Sequence, residues 1–253
     1  MRIEYIPVDK EDTLSFIIEG IDVAFANTLR RTVMMETPIY ACNDIVFYKN
    51  SSPLYDEMVS HRLGLVPMTT PVDTEEGAKM VTMSLEAEGP RTIYSGDLVS
   101  DDPEVKPIND GFPILKLGQD QSISLNAECT VGFGRNHVKW QAGLASYKNY
   151  PVIEVDPERC NLCGECVNAC PVKILEMKER VVANDVIKCT FCRSCEDACK
   201  KLNENKIISV EPMEDKFIFK IETFGNMNTK DLLNTALNVI ENKAKELDQL
   251  LNE

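Results

Sequence analysis

Eight cysteines lie in one short stretch, as Cys160-x2-Cys163-x2-Cys166-x3-Cys170-Pro171 and Cys189-x2-Cys192-x2-Cys195-x3-Cys199. Each cysteine of the first set stands 29 residues before its counterpart in the second, so the stretch is an internal duplication. The remainder of the chain holds just Cys42 and Cys129. A secreted scaffold would spread disulfides through its fold, whereas a local concentration of thiols points to metal ligation. A cubane iron-sulfur cluster needs four thiolates converging tetrahedrally. Three can come from a tight C-x2-C-x2-C loop, and the fourth must come from elsewhere. Paired zinc sites would favour two C-x2-C pairs divided by a longer loop, and they give the C-x3-C step of each half no task.

Through this spacing, residues 156–204 resemble the dicluster ferredoxins. The resemblance implies two [4Fe-4S] clusters with crossed ligands: Cys160, Cys163, Cys166 and Cys199 for one, Cys189, Cys192, Cys195 and Cys170 for the other. A segment of about 50 residues has too small a core of its own, and metal bonds then contribute much of its folding free energy. Lys200 replaces the proline that usually follows the last cysteine of the second half, so the cluster fed by Cys199 is expected to be the more labile.

The elements around this box read as follows. Thr13 to Glu19 (TLSFIIE) is a strand closed by Gly20, and Asp22 caps a helix running to about Glu36. On that helix Phe25, Leu29 and Val33, with Ala26 beside them, form one buried stripe flanked by Arg30 and Arg31. From about Ile39 to Tyr150 short strands broken by turn residues dominate, among them Ile45 to Tyr48, Lys79 to Glu86 and Ser122 to Val131. Cys42 and Cys129 read as small buried apolar residues there. After the cysteines come strands at Ile207 to Val210 and Lys216 to Thr223, then a helix from about Thr229 to Leu251. On it Leu233, Leu237, Ile240, Ala244, Leu247 and Leu251 form a heptad seam, widened by Leu232, Ala236, Val239 and Leu250. An arc this wide suits either packing on its own domain or a subunit interface.

The 253 residues suffice for one to three domains, and 43% apolar content supports a sizeable core. The net charge of −14 repels nucleic acid, so no direct DNA binding is expected. Half of that charge sits in residues 71–110, with ten acidic and three basic side chains read as solvated loops and edges. No apolar run reaches membrane-spanning length and the first residues lack a secretory signal, so the simplest location is the cytoplasm. No G-x-G-x-x-G, P-loop or D-x-D-x-D signature occurs.

Flanking the box, Asn27-Thr28-Leu29-Arg30-Arg31, Asn43-Asp44-Ile45-Val46, Asn50-Ser51-Ser52, Asp56-Glu57 and His61-Arg62-Leu63-Gly64-Leu65-Val66-Pro67-Met68 carry a second resemblance. They look like the signature of the α-like assembly subunits of cellular RNA polymerases, in particular the archaeal D-type family with its ferredoxin-like insertion. The resemblance spans about residues 12–70 and 205–250. It implies an α+β fold in which a discontinuous dimerisation domain (1–40 and 213–253) carries an inserted mostly-β domain (41–155 and 205–212) and the ferredoxin-like domain (156–204). It further implies a non-catalytic subunit of a nucleotidyltransferase complex that pairs with the small, L-type α-like subunit and scaffolds the large catalytic subunits. The seam of the last helix would serve that pairing, Arg30 would engage a large subunit, and the clusters would stabilise or regulate assembly. In the His61 to Pro67 segment the expected work is shape, with Gly64 permitting a tight turn. The rival from another class is a ferredoxin-type electron-transfer protein, marked by low-potential reduction coupled to a redox enzyme.

Overall fold

The computed structural model describes residues 1–202 and 207–252; the expected domain boundary at 204/205 lies outside them. Strands β1 (Arg2–Ile6) and β2 (Thr13–Glu19) pair antiparallel, with Arg2 opposite Glu19 and Ile6 opposite Ser15. Gly20, at φ +83°, takes the left-handed conformation that ends β2. Helix α1 (Val23–Met35) starts where Asp22 Oδ1 accepts the Phe25 backbone N–H at 2.8 Å, satisfying a donor that the first turn leaves orphaned. Its inward stripe is Ala26, Leu29 and Val33, while Phe25 is half-buried.

A β-rich region follows, with β3 (Pro38–Asn50), α2 (Asp56–Gly64), β4 (Val81–Glu88), β5 (Arg91–Tyr94), β6 (Val99–Ser100), β7 (Pro113–Leu117) and β8 (Ser122–Phe133). One sheet has the order β3-β8-β4-β6, and β5 pairs with β7 separately. On β8, Ile123, Leu125, Ala127 and Cys129 alternate inward as a half-covered strand requires. Val59 and Leu63 of α2 join the same core. Gly64 is the last residue of α2 without a left-handed φ, so the tight turn expected there is a helix end instead.

The rest of the chain forms β9 (Gly143–Val155), α3 (Glu165–Asn168), β10 (Leu175–Met177), β11 (Val181–Ala183), α4 (Ser194–Leu202), β12 (Ile208–Thr223) and α5 (Thr229–Asn252). A four-stranded sheet has the order β1-β2-β12-β9, so strands from both halves of the chain are neighbours in it. Phe16 of β2 stacks on Phe219 of β12, with centroids 5.2 Å apart and planes 3° from parallel, and Tyr147 of β9 tilts against Phe219 at 5.4 Å. The two strands expected after the cysteines are one 16-residue strand. Its middle, Glu211-Pro212-Met213-Glu214-Asp215, reads as a loop by propensity. The backbone nonetheless stays extended, because Asn149 Nδ2 donates to the Met213 carbonyl at 2.7 Å and the Gly20 N–H to the Asp215 carbonyl at 2.8 Å.

Two compact units result. One comprises Met1–Ile6, Ser15–Ala26 and Tyr147–Phe219, and the other Pro7–Leu14, Asn27–Ser146 and Lys220–Glu253. Among the described residues no helix is long and apolar enough to cross a membrane.

Candidate metal centre

The duplication seen in the sequence recurs in the backbone. In the first cysteine loop Leu162 (φ 56°) and Gly164 (φ 80°) flank Cys163 in left-handed conformation. In the second, Phe191 (φ 55°) and Arg193 (φ 58°) flank Cys192 in the same way. Glycine adopts this region freely, but each of the three side-chain-bearing residues is held there at a cost of about 1–2 kcal/mol. Such strain persists where the surroundings over-determine the loop, as at ligand sites. Helices α3 and α4 begin at Glu165 and Ser194, again 29 residues apart, and place Cys166 and Cys195 in their first turns.

The eight cysteines of the box form no disulfides. The middle cysteine of each loop, Cys163 and Cys192, is exposed, Cys160 is half-buried, and the other five are buried. Burial raises the Cys166 thiol, and the nearby Cys199, Cys160 and Cys163 raise it further. Burial likewise pushes Cys195 up to about 11, with Cys170 and Cys189 adding to the effect. The neighbours felt by Cys166 thus include one thiol from the second half of the duplication, and those felt by Cys195 include one from the first. Exposed Cys192 shifts the other way, lowered by hydrogen bonds from the Ser194 hydroxyl and backbone. An all-sulfur donor set in two such groups suits iron-sulfur clusters, which would supply thiolate cross-links binding the two halves of the segment together. Among the described residues no three His, Cys, Asp or Glu side chains converge on the position of a single ion. A cubane is larger than one ion and spreads its four ligands over its corners.

Among the described residues the core beneath the box has eleven buried residues, and five are its cysteines. Of the other six, Ile207, Ile208 and Val210 lie on or beside β12, and half-buried Ile153 and Val155 of β9 pack against the same core. The segment is too small for a core of its own, as its length suggests, and part of its apolar cover comes from the two sheet strands that lead into and out of it. The sequence also gives no hint of Lys148 and Glu196, which are buried in part or almost wholly and bond across this junction.

Of the expected interface residues, Arg30 is half-buried, its Nε and Nη2 donating to Asn27 Oδ1 at 3.3 and 3.1 Å and Nη1 to Met34 Sδ. On α5 the inward positions are Thr229, Leu232, Thr235 and Ala236. The seam lies beside them: Leu233 and Ile240 are half-buried, and Leu237, Ala244, Leu247 and Leu251 are exposed, Leu251 at 75%. Arg31 is exposed too and, with Thr28, Met35, Glu36, Ile240 and Lys243, lines a groove between α1 and α5. Exposed Arg62 donates from Nη2 to the Pro113 carbonyl at 2.8 Å, a structural bond, and His61 is exposed. Cys42 and Cys129 are buried as expected, and they also face each other across β3 and β8 with sulfurs 3.1 Å apart. Their shared hydrogen bond, with burial, holds the Cys129 thiol neutral by raising it far above its ordinary value.

Comparison with known proteins decides the family. A DNA-directed RNA polymerase subunit Rpo3 from Methanosarcina mazei is 39% identical, the match covering 94% of this chain and 94% of that protein. Rpo3 from Pyrococcus furiosus is 37% identical over 96% and 94%, and Rpo3 from Methanothermobacter thermautotrophicus 39% over 94% and 95%. The chain belongs to the archaeal Rpo3 family of RNA polymerase subunits. Within this Rpo3-family chain the RNA polymerase Rpb3/RpoA insert domain matches residues 43–157, which run from within β3 to just past β9. A 4Fe-4S binding domain matches residues 152–175, which contain the first cysteine set.

Proposed function

We propose that this chain is a non-catalytic, assembly-directing subunit of a cytoplasmic DNA-directed RNA polymerase. It pairs with the small, L-type α-like subunit through its terminal segments and presents the resulting heterodimer to the large catalytic subunits. Two [4Fe-4S] clusters, held by the crossed cysteine sets, stabilise the segment between β9 and β12 and make assembly responsive to iron supply. The observation that carries the pairing is the division of labour on α5: Leu232 and Ala236 do the internal packing, while Leu237, Leu247 and Leu251 of the seam stay in solvent. The family-signature residues of α1 belong to the same reading, with Arg30 offering a fork already oriented by Asn27 to a carboxylate or carbonyl of a large subunit.

The test is co-purification of the full chain with a tagged small α-like partner. Leu247 and Leu251 are 59% and 75% exposed, so the double variant Leu247→Glu, Leu251→Glu leaves the isolated chain's fold unchanged. Each leucine buried at an interface is worth about 1.5–3 kcal/mol, so the pair should weaken association at least ~100-fold. A wild-type chain that stays monomeric beside such a partner, or a double variant that binds like wild type, contradicts the proposal.

A further inference from the structure

We propose that the two clusters are not equivalent: the one on Cys189, Cys192, Cys195 and Cys170 is coupled to the sheet that joins both chain ends, and Lys148 and Glu196 are the positioning residues that couple it. This rests on the two-cluster reading of the proposed function. Lys148 projects from β9, and its Nζ donates to the carbonyls of Ile187 at 2.5 Å and Cys189 at 2.8 Å, fixing the approach to the first ligand of that set. Glu196 follows Cys195 in the first turn of α4 and is 4% exposed. Its Oε1 accepts the Val210 backbone N–H of β12 at 2.6 Å. Arg193 adds a weaker, exposed contact, Nη2 lying 3.9 Å from Glu211 Oε2 on β12.

The duplication provides an internal control. The positions 29 residues before Arg193 and Glu196 are Gly164 and Val167, which have no polar side chain to offer a strand. The second cysteine loop therefore grips both β9 and β12, and the first has no counterpart of the Arg193 and Glu196 contacts. A carboxylate this buried cannot give up its donor without a desolvation penalty of about 1–3 kcal/mol or more. As long as Cys189 and Cys195 share a cluster, the carbonyls held by Lys148 and the carboxylate held at Val210 keep a fixed separation. When that cluster leaves, α4's first turn is released and the Val210 amide loses its fixed acceptor. β12 is the middle strand between β2 and β9 and transmits the loosening to its neighbours.

The matched, exposed cysteines 163 and 192 allow each cluster to be removed without touching the core. The full chain, Cys163→Ser, Cys192→Ser and Glu196→Ala are reconstituted anaerobically with iron and sulfide, then assayed for iron and for amide hydrogen exchange in peptides covering residues 147–155 and 208–213. The wild type is expected to hold about eight irons and each serine variant about four. Exchange at 208–213 should rise at least ~10-fold in Cys192→Ser and less than ~2-fold in Cys163→Ser. Glu196→Ala should raise it by itself at wild-type iron content. Equal responses of the two serine variants, or a silent Glu196→Ala, overturn the inference while leaving the two-cluster reading intact. A wild-type chain with only about four irons overturns that reading first, and this one with it.

Discussion

Stripping iron from the chain with an anaerobic chelator is expected to unfold the segment between residues 157 and 202 while the β-rich insert stays folded. Among the described residues, the buried apolar side chains that this segment supplies itself, apart from cysteines, are Ile174, Leu175 and Val181. The two-stranded β10–β11 pair and the four-residue α3 add little intrinsic stability, since isolated hairpins and short helices are marginal in water. Left-handed Leu162, Phe191 and Arg193 add strain that a bound cluster would offset. Small structural metal sites contribute about 10 kcal/mol of apparent folding free energy, more than enough to decide between the two states. Limited proteolysis checks this. Cleavage within 157–202 should accelerate at least ~100-fold after chelation, whereas cleavage within β4 and β8, whose core includes fully buried Met83, Leu85, Ile123 and Leu125, should not change. Equal resistance of the segment with and without iron would contradict the account.

Phe219→Ala is expected to cost about 3–5 kcal/mol from cavity formation, with about 1 kcal/mol more from the lost ring pairs. Phe219 is fully buried at the centre of three strands, stacked on Phe16 and touched by Tyr147. Folded domains have only about 5–15 kcal/mol to lose, so the β1-β2-β12-β9 sheet should open locally. Hydrogen exchange in Thr13–Glu19 and Ile208–Thr223 should rise well beyond ~100-fold. A variant whose exchange in these strands matches wild type would show that the sheet does not depend on this cluster of rings.

Several elements were legible because their patterns are local. TLSFIIE is apolar over most of its length and forms β2 with the bounds the pattern suggests, and Asp22 occupies the capping position its side chain suits. The leucine-rich C-terminal run is α5 to within a residue. What stayed hidden depends on distant partners. The extended run through Pro212 has no alternation to betray it, and its conformation is set by Asn149 and Gly20. Which of the two leucine stripes on α5 faces inward depends on what it packs against, and Leu232 rather than Leu233 is the buried one. At the metal centre the cysteines and their 29-residue repeat were plain from spacing. Lys148 and Glu196 were not, since a lone lysine in a β-strand and a glutamate in an acidic helix start read as surface groups.

At the metal centre the proposed arrangement is eight thiolates holding two cubanes, with ligands exchanged between the halves of the duplication. Anomalous diffraction at the iron edge from anaerobically grown crystals of the full chain tests it directly. The account predicts two compact iron peaks, one ringed by Cys160, Cys163, Cys166 and Cys199 and the other by Cys189, Cys192, Cys195 and Cys170. A single peak, or two peaks each ringed by the four cysteines of one half, would contradict it.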